Sequence, residues 1–194
     1  MKFCSECGQA VVRKKPEGDT HLRYVCTSCD TIHYQNPNIV TGCIPEWQGR
    51  ILLCRRAIEP RHGLWTLPAG FMENNETTAQ AAIRETMEEA RARVEITDLY
   101  TIFNLPHVNQ VYIIFRAQLN SLDYGPGEES LEVELFELDE LPWDEMAFAV
   151  VRETLKLYCQ DARNGKFALY TGDIVVNPEN KQDYQALNIC QFGI

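Results

Sequence analysis

Short apolar runs separated by polar turns predict a chain that is rich in β-strands. Apolar runs at 39–44 and 51–54 are joined by a Gln-Gly-Arg turn at 48–50, which predicts a β-hairpin. Two further strand-like runs lie at 108–119 and 131–138, and in the second of these leucine and valine alternate with glutamate.

Two other segments show helical patterns. Residues 77–92 contain neither glycine nor proline, and Thr77 with Gln80 forms a capping-box pattern at their start. A second helix is predicted at 145–163, where apolar residues recur on one face. Residues 59–76 are interrupted by proline, glycine and asparagine and predict a long ordered loop. Strands around two helices predict an α/β or α+β sandwich.

The pattern divides the chain into three parts. Residues 1–36 carry paired cysteines and scattered charges, and we expect them to form a separate small unit. Asn36 and Pro37 mark the junction, because proline restricts the residue before it to extended conformations. We assign 37–170 to the main domain and 171–194 to a C-terminal tail. The sequence pattern of the tail gives little information about its structure.

Composition and charge limit the classes of function. The 28 acidic and 18 basic residues give a formal charge of −10, which argues against general binding of nucleic-acid backbones. No apolar run approaches the ~20 residues that a membrane helix needs, and the N-terminus has no secretory apolar segment. We therefore expect a cytoplasmic protein without a membrane partner. Its eight cysteines are then metal ligands or thiols rather than disulfides.

Two cysteine pairs in the first segment have the spacing of a zinc site. Cys4 and Cys7, like Cys26 and Cys29, are separated by two residues, and 18 residues lie between the pairs. Such knuckles place four thiolates around one Zn²⁺ in a zinc ribbon, with no open position for a substrate. We expect a structural zinc, the alternative being four unligated thiols. The other cysteines, at positions 43, 54, 159 and 190, belong to no motif.

The predicted helix at 77–92 carries three glutamates on one face. Glu85, Glu88 and Glu89 stand at positions i, i+3 and i+4, so their side chains project in the same direction. Like charges so placed repel each other, whereas a hard divalent cation bound by the carboxylates would reverse the sign of the interaction. The alternative is a solvated acidic face, which does not explain the spacing of the glutamates relative to the preceding glycine and arginine.

This stretch resembles the Nudix box, G-x5-E-x7-R-E-U-x-E-E-x-G-U, in which U is apolar. The matching positions are Gly70, Glu76, Arg84, Glu85, Glu88 and Glu89. The stretch departs from the box at Thr86, which replaces an apolar residue, and at Arg91, which replaces glycine, while Ala92 is a small final apolar residue.

The resemblance implies a Nudix fold, an α/β/α sandwich around a mixed sheet, here preceded by the small zinc ribbon. It also implies catalytic Mg²⁺ or Mn²⁺ bound by Glu85, Glu88 and Glu89. Arg84 would orient the site by pairing with box carboxylates such as Glu76. Metal ions held beside a diphosphate activate water for an in-line displacement that yields two phosphates.

The reaction also needs a base to accept the proton of the attacking water. Glu88 and Glu89 of the box are candidates, and so is a glutamate from a downstream loop, as in several Nudix enzymes. Glu128, Glu129 and Glu132 lie in such a loop, and we favour Glu129. The alternative for each of them is a solvated loop acid.

The surroundings of the box bear on the substrate. A zinc ribbon ahead of a Nudix domain resembles NADH pyrophosphatases, including those that remove NAD caps from RNA, but their SQPWPFP-type motif is replaced by LPHVNQVYIIF at 105–115. The chain more closely resembles plant chloroplast FAD and ADP-ribose pyrophosphatases and their bacterial relatives. Shared features are the four-cysteine ribbon, Y-x-N-P at 34–37, GLWTLPAG at 63–70 and PGxESLE at 126–132. The resemblance implies hydrolysis of FAD or ADP-ribose to two monophosphates, and a homodimer.

Several residues near the box are candidate substrate contacts: Trp65, Phe71 and Phe103 as stacking surfaces, Arg55 or Arg56 for a terminal phosphate, and Glu73 in the box loop. For each aromatic residue the alternative is a place in the core. A rival to the enzyme hypothesis is a regulatory module that keeps the Nudix scaffold and binds RNA or protein through the ribbon. The complete set of box ligands favours the enzyme.

Overall fold

A computed structural model describes residues 1–177 and 184–193 of the chain. The contacts between backbone segments divide it into two units, Met1–Pro37 and Asn38–Ile194. The first unit holds a three-stranded antiparallel sheet in the order β1-β2-β3. Its strands are β1 (Val11–Lys14), β2 (Arg23–Cys26) and β3 (Ile32–His33).

The second unit contains one mixed sheet and two α-helices. The strands are β4 (Asn38–Trp47), β5 (Arg50–Arg56), β6 (Trp65–Thr66), β7 (Ala69–Phe71), β8 (Val94–Leu105), β9 (Gln110–Leu119), β10 (Ser130–Phe136), β11 (Leu169–Val176) and β12 (Tyr184–Phe192). The helices are α1 (Thr78–Ala90) and α2 (Ala149–Asn164). The strand order is β10-β5-β4-β9-β8-β11-β12, with β6 paired to β5 and β7 to β4. Parallel pairing of β4 with β9 and of β8 with β11 makes the sheet mixed.

The two helices cover opposite faces of the sheet. Along β5, Ile51 and Leu53 belong to the core cluster that contains α2, whereas Leu52 and Cys54 belong to the cluster that contains α1. Successive side chains of a strand point to opposite faces, so a strand buried on both sides reads as a continuous apolar run. The predicted sandwich of helices around a mixed sheet is confirmed. Among the described residues, no helix has the length and apolar character needed to span a membrane.

Local sequence signals account for the start of α1 and for most of the other predicted elements. Thr77 is the N-cap, and both hydrogen bonds of the capping box with Gln80 are present. The hairpin of β4 and β5 is confirmed, as are strands β9 and β10. Helix α2 begins at Ala149 rather than at 145, because residues 143–145 form a separate 3₁₀ turn.

Five strands of the second unit lie where the sequence pattern indicated none. Two of them, β6 and β7, lie within residues 59–76, so the prediction of an unbroken loop there is wrong: these short segments pair with β5 and β4. Strand β8 is broken by two register irregularities with β9, and each one shifts the alternation of apolar and polar residues, so the period-two signal is lost. Residues 171–194, assigned above to a tail, supply most of the described part of β11 and β12. Strand β11 pairs in parallel with β8, a partner some 70 residues away in sequence.

Arg91 ends α1 in the left-handed conformation, with φ 49° and ψ 23°. A non-glycine residue loses about 1 kcal/mol there because its Cβ approaches the carbonyl oxygen. We expect Arg91→Gly to raise the melting temperature by about 2–4 °C, the shift that such an energy gives for a domain of this size. Thermal unfolding followed by circular dichroism measures it. Arg91→Ala, which keeps the Cβ, is the matched control and should give no increase; an equal increase in both variants would contradict the backbone explanation.

Candidate active site

Arg84 lies at the centre of the carboxylates on α1 and in the loop before it. Its guanidinium donates two hydrogen bonds to Glu76, at 2.8 and 3.1 Å, one to Glu85 at 2.7 Å and one to Glu88 at 2.9 Å. It also donates to the carbonyl oxygen of Phe71 at 3.1 Å. The hydrogen bonds from Arg84 lower the pKa of Glu76. One planar cation therefore sets the positions of three carboxylates and of the loop.

Two of the three helical glutamates are buried, and their charges are only partly compensated. Glu85 and Glu89 are 8% and 6% exposed, whereas Glu88 is exposed. Burial raises the pKa of Glu85, and it raises that of Glu89 to about 8, although the Ala69 N–H donates to the Glu89 carboxylate at 3.2 Å. A cation brought close to buried carboxylates with raised pKa values stabilises their ionised form.

Glycines allow two loops to approach the carboxylates closely. A Cβ at Gly70 would overlap the carboxylate of Glu85, and a Cβ at Gly127 would overlap the carbonyl oxygen of Glu88. The Gly127 N–H donates to the carbonyl oxygen of Glu89 at 3.0 Å, and the next loop residue but one is Glu129. The acidic loop is thereby anchored to the C-terminal end of α1, where the carbonyl groups lack helical partners.

The donor set on α1 fits a hard divalent cation. Glu85, Glu88 and Glu89 offer only carboxylate oxygens, the preferred ligands of Mg²⁺ and Mn²⁺. The space that a Cβ at Gly70 would fill lies directly against one of these carboxylates. These three glutamates are the residues that would hold the metal.

A cleft of about 1170 Å³ extends from these carboxylates along the sheet. Its acidic lining includes Glu73, Glu85, Glu88, Glu89, Glu128 and Glu129. Its basic lining includes Arg56, Arg61, Arg84 and Arg152. Apolar and aromatic side chains from β8, β9, β11, β12 and the start of α2 complete the walls. A concave site that combines convergent charges with apolar walls is typical of small-molecule binding.

The structure separates the predicted substrate contacts into two groups. Arg56, Glu73 and Phe71 line the cleft, and Phe71 is 53% exposed. Arg55 does not line it: its guanidinium donates to the carbonyl oxygen of Gly63 and contacts Glu132 at 3.4 Å. Arg55 and Arg56 are neighbours on β5, so only one of them can face the cleft.

The prediction that Trp65 and Phe103 offer stacking surfaces to the substrate is wrong. Trp65 is 6% exposed and packs edge-on against Phe136 at 4.9 Å, and Phe103 is fully buried. Both belong to the core cluster beneath α2. Of the candidate bases, Glu128 and Glu129 line the cleft, whereas Glu132 does not.

Sequence reasoning missed a group of cleft residues that come from the second half of the chain. Phe148 and Arg152 lie at the start of α2, and Ile174, Val176 and Tyr184 lie on β11 and β12. None of them belongs to a motif. Ile174 and Val176 reach the cleft through the parallel pairing of β11 with β8, and Tyr184 through the pairing of β12 with β11. The only signal in the sequence that could have indicated these strands was their content of aromatic and β-branched residues.

The four ribbon cysteines converge within the first unit. The sulfur atoms of Cys4, Cys7, Cys26 and Cys29 all lie within 4.8 Å of one another. The sulfur atoms of Cys7 and Cys26 are 3.4 Å apart, and those of Cys4 and Cys29 are 3.7 Å apart. Four thiolates placed 2.3 Å from a tetrahedral Zn²⁺ would lie about 3.8 Å apart, so the cluster fits structural zinc. Nε2 of His33 lies 3.3 Å from the sulfur of Cys4, as a neighbour of the ligand set.

Comparison with protein families matches both units. A family model described as NUDIX domain matches residues 37–158, and one described as Nudix N-terminal, a zinc ribbon, matches residues 2–35. An NUDIX hydrolase structure from Nitrosomonas europaea is 57% identical in sequence, with a TM-score of 0.88, and the match covers 90% of this chain and 99% of that chain.

Two curated relatives carry names of enzymes. The ADP-ribose pyrophosphatase of Methanocaldococcus jannaschii is 30% identical over 115 residues, which are 56% of this chain and 67% of the relative. The NAD-capped RNA hydrolase NudC of Salmonella heidelberg is 32% identical over 145 residues, which are 73% of this chain and 53% of the relative. The chain thus spans about half the length of the NudC relatives that it matches.

Proposed function

Because the chain belongs to the Nudix family of hydrolases, we propose that it is a divalent-metal-dependent pyrophosphatase. Its substrate is a nucleoside diphosphate linked to a second moiety, FAD or ADP-ribose, and the products are two monophosphates. The observation that carries this proposal is that Glu85, Glu88 and Glu89 line the same large cleft, with Glu85 and Glu88 held by hydrogen bonds from Arg84 and Glu89 by the Ala69 N–H.

Each box residue has a distinct task in the proposed reaction. Mg²⁺ or Mn²⁺ held by Glu85, Glu88 and Glu89 would screen the phosphoryl oxygens and increase the acidity of an attacking water. Arg84 fixes Glu85 and Glu88 relative to the loop through hydrogen bonds, so the ligands are preorganised. Glu89 is oriented by the Ala69 N–H instead. Such preorganisation reduces the rearrangement needed when the substrate binds.

Arginines supply the positive charge that binding of a diphosphate requires. Arg56, Arg61 and Arg152 line the cleft, and among the residues that the structure describes none of them forms an ion pair with a carboxylate. The Arg56 guanidinium lies 5.1 Å from the centre of the Phe148 ring, and its Nε donates to the carbonyl oxygen of Pro60 at 2.9 Å. Arg56 is therefore held in place with its terminal nitrogens available, and we assign it to a phosphate of the substrate.

We assign Glu129 as the general base, because it lines the cleft beside the helical carboxylates and its charge acts on the pKa of Glu89. Glu129→Gln should lower kcat by about 10²- to 10⁴-fold, as expected when a base is removed. Steady-state kinetics with ADP-ribose as a function of pH measure this. Glu132→Gln, in the same segment but outside the cleft, should retain activity. A loss of kcat in Glu128→Gln but not in Glu129→Gln would contradict the assignment of Glu129 as the base.

FAD and ADP-ribose are the proposed substrates for two reasons. The segments at 34–37, 63–70 and 126–132 resemble those of plant chloroplast FAD and ADP-ribose pyrophosphatases. A relative named ADP-ribose pyrophosphatase also aligns with more than half of the chain. We retain the homodimer and the cytoplasmic location as predictions.

A second candidate activity is hydrolysis of NADH or of NAD caps on RNA. It is favoured by the NudC relatives, whose similarity covers 73% of this chain. The missing SQPWPFP-type motif argues against it. An RNA partner is compatible with this candidate, and so is a ribbon that takes part in RNA binding.

Purified protein with Mg²⁺ or Mn²⁺ should release two monophosphates from FAD or ADP-ribose, with a higher kcat/KM than for NADH or NAD-capped RNA. Chromatography of the products separates the alternatives. A higher kcat/KM for NADH or capped RNA would favour the second candidate. Absence of hydrolysis for all four compounds would contradict the enzyme hypothesis and favour a binding module on the Nudix scaffold.

A further inference from the structure

One wall of the cleft is formed by strands that lie outside the matched Nudix segment. The family model ends at residue 158, whereas Ile174, Val176 and Tyr184 of β11 and β12 line the cleft. Val176 pairs directly with Tyr184 in the antiparallel ladder, so their side chains share one face of the sheet. These strands therefore add a wall to the cleft beyond the matched segment, which carries the box residues.

Tyr184 is the aromatic residue of this added wall, and its ring is held from two sides. Its hydroxyl donates to the carboxylate of Glu153 on α2 at 3.0 Å, and Glu153 also accepts from Lys156 at 2.7 Å. The ring packs against the core cluster beneath α2 and remains partly exposed toward the cleft. A ring fixed in this way loses little conformational entropy when a planar group stacks on it.

The other Phe and Tyr side chains that line the cleft are less suited to stacking on a planar group. Tyr112 is only 9% exposed, and one side of the Phe148 ring faces the guanidinium of Arg56. Phe71 is well exposed, but it lies at the end of β7, where its carbonyl oxygen accepts a hydrogen bond from Arg84. Tyr184 is thus the aromatic surface in the part of the cleft that is built by the C-terminal strands.

We propose that Tyr184 is a specificity-determining residue whose ring stacks on a planar heteroaromatic ring of the substrate. The proposal rests on the pyrophosphatase activity proposed above and extends it to recognition of the substrate. FAD carries an adenine and a flavin ring, whereas ADP-ribose carries adenine alone. The two substrates therefore report which ring Tyr184 contacts.

The test compares Tyr184→Leu, which removes the ring, with Tyr184→Phe, which keeps the ring and removes only the hydroxyl. We expect Tyr184→Leu to raise KM by about tenfold, as loss of one base–aromatic stack does, with kcat little changed. Tyr184→Phe should stay within about threefold of wild type, since the hydroxyl bond to Glu153 only orients the ring. A KM increase for both substrates assigns the contact to adenine, and an increase for FAD alone assigns it to flavin.

Gln185→Ala is the matched control, because Gln185 is the exposed neighbour of Tyr184 on β12. An unchanged KM for both substrates in Tyr184→Leu would overturn the proposal, and so would equal effects of the Leu and Phe variants. Calorimetric Kd values for FAD and ADP-ribose give the same comparison without turnover. A wild-type protein that binds these compounds but hydrolyses none of them would contradict the proposed function and leave this comparison decisive for Tyr184.

Discussion

Glu89→Gln is expected to lower kcat by at least about 100-fold while the fold is retained. Loss of a metal-binding carboxylate removes several kcal/mol of charge stabilisation from the transition state. The amide has nearly the same shape and can still accept the Ala69 N–H, which now lies 3.2 Å from the carboxylate. Because burial raises the pKa of Glu89, a neutral side chain avoids the cost of burying charge. The melting temperature without metal should therefore not decrease.

Two measurements separate a catalytic effect from a structural one. Steady-state kinetics with Mg²⁺ give the loss of kcat, and thermal unfolding with and without Mg²⁺ shows whether the metal-induced stabilisation is reduced. Glu95→Gln is the matched control, because Glu95 is an exposed glutamate on β8 that does not line the cleft. A Glu89→Gln protein with near-normal kcat would contradict the assignment of the helical glutamates as metal ligands.

Cys26→Ala should abolish zinc binding and unfold the first unit. Wild-type protein should contain one zinc per chain by elemental analysis, because the four sulfur atoms lie within bonding range of one ion. A segment of about 37 residues cannot bury enough apolar surface to fold alone. Binding of structural zinc contributes about 10–16 kcal/mol in small domains, so loss of a ligand should remove most of the stability of this unit.

Hydrogen exchange read out by mass spectrometry locates the effect of the substitution. Amide protection should disappear across β1, β2 and β3 in Cys26→Ala and persist in the sheet of the second unit. Cys190→Ala is the control, because Cys190 is exposed on β12 and lies outside the four-cysteine cluster. If the native wild-type protein contained no zinc and still had a protected ribbon, a structural role for the metal would be excluded.

The helical part of the active site could be predicted because its signals are local. The i, i+3, i+4 spacing of Glu85, Glu88 and Glu89 requires only that the segment is helical, and the capping box of Thr77 establishes where the helix starts. The departures from the Nudix box are also explained locally. Thr86 is buried and donates its hydroxyl to the carbonyl oxygen of Ala82, four residues earlier. Arg91 adopts the left-handed conformation usually given to glycine.

The acidic surplus is another feature whose meaning became clear in the structure. The segment 120–150 holds ten acidic residues and neither Lys nor Arg, so it accounts for the whole formal charge of −10. Three of these residues, Glu128, Glu129 and Asp144, line the same cleft as the helical carboxylates. Arg56 and Arg152 line the same cleft, so negative charge for a metal and positive charge for phosphates are brought together.

The sequence by itself determined the candidate metal ligands, because cysteine knuckles and helical glutamates depend on spacings of only a few residues. Only the tertiary structure decided which substrate contacts reach the cleft. Arg55 and Arg56 are equivalent candidates for a phosphate contact when only the sequence is considered. Trp65 and Phe71 are likewise equivalent candidates for a stacking surface. Which of each pair lines the cleft depends on strands and helices that pack from distant parts of the chain. The same reason hid Tyr184, since its place in the cleft follows from sheet pairing that no local pattern encodes.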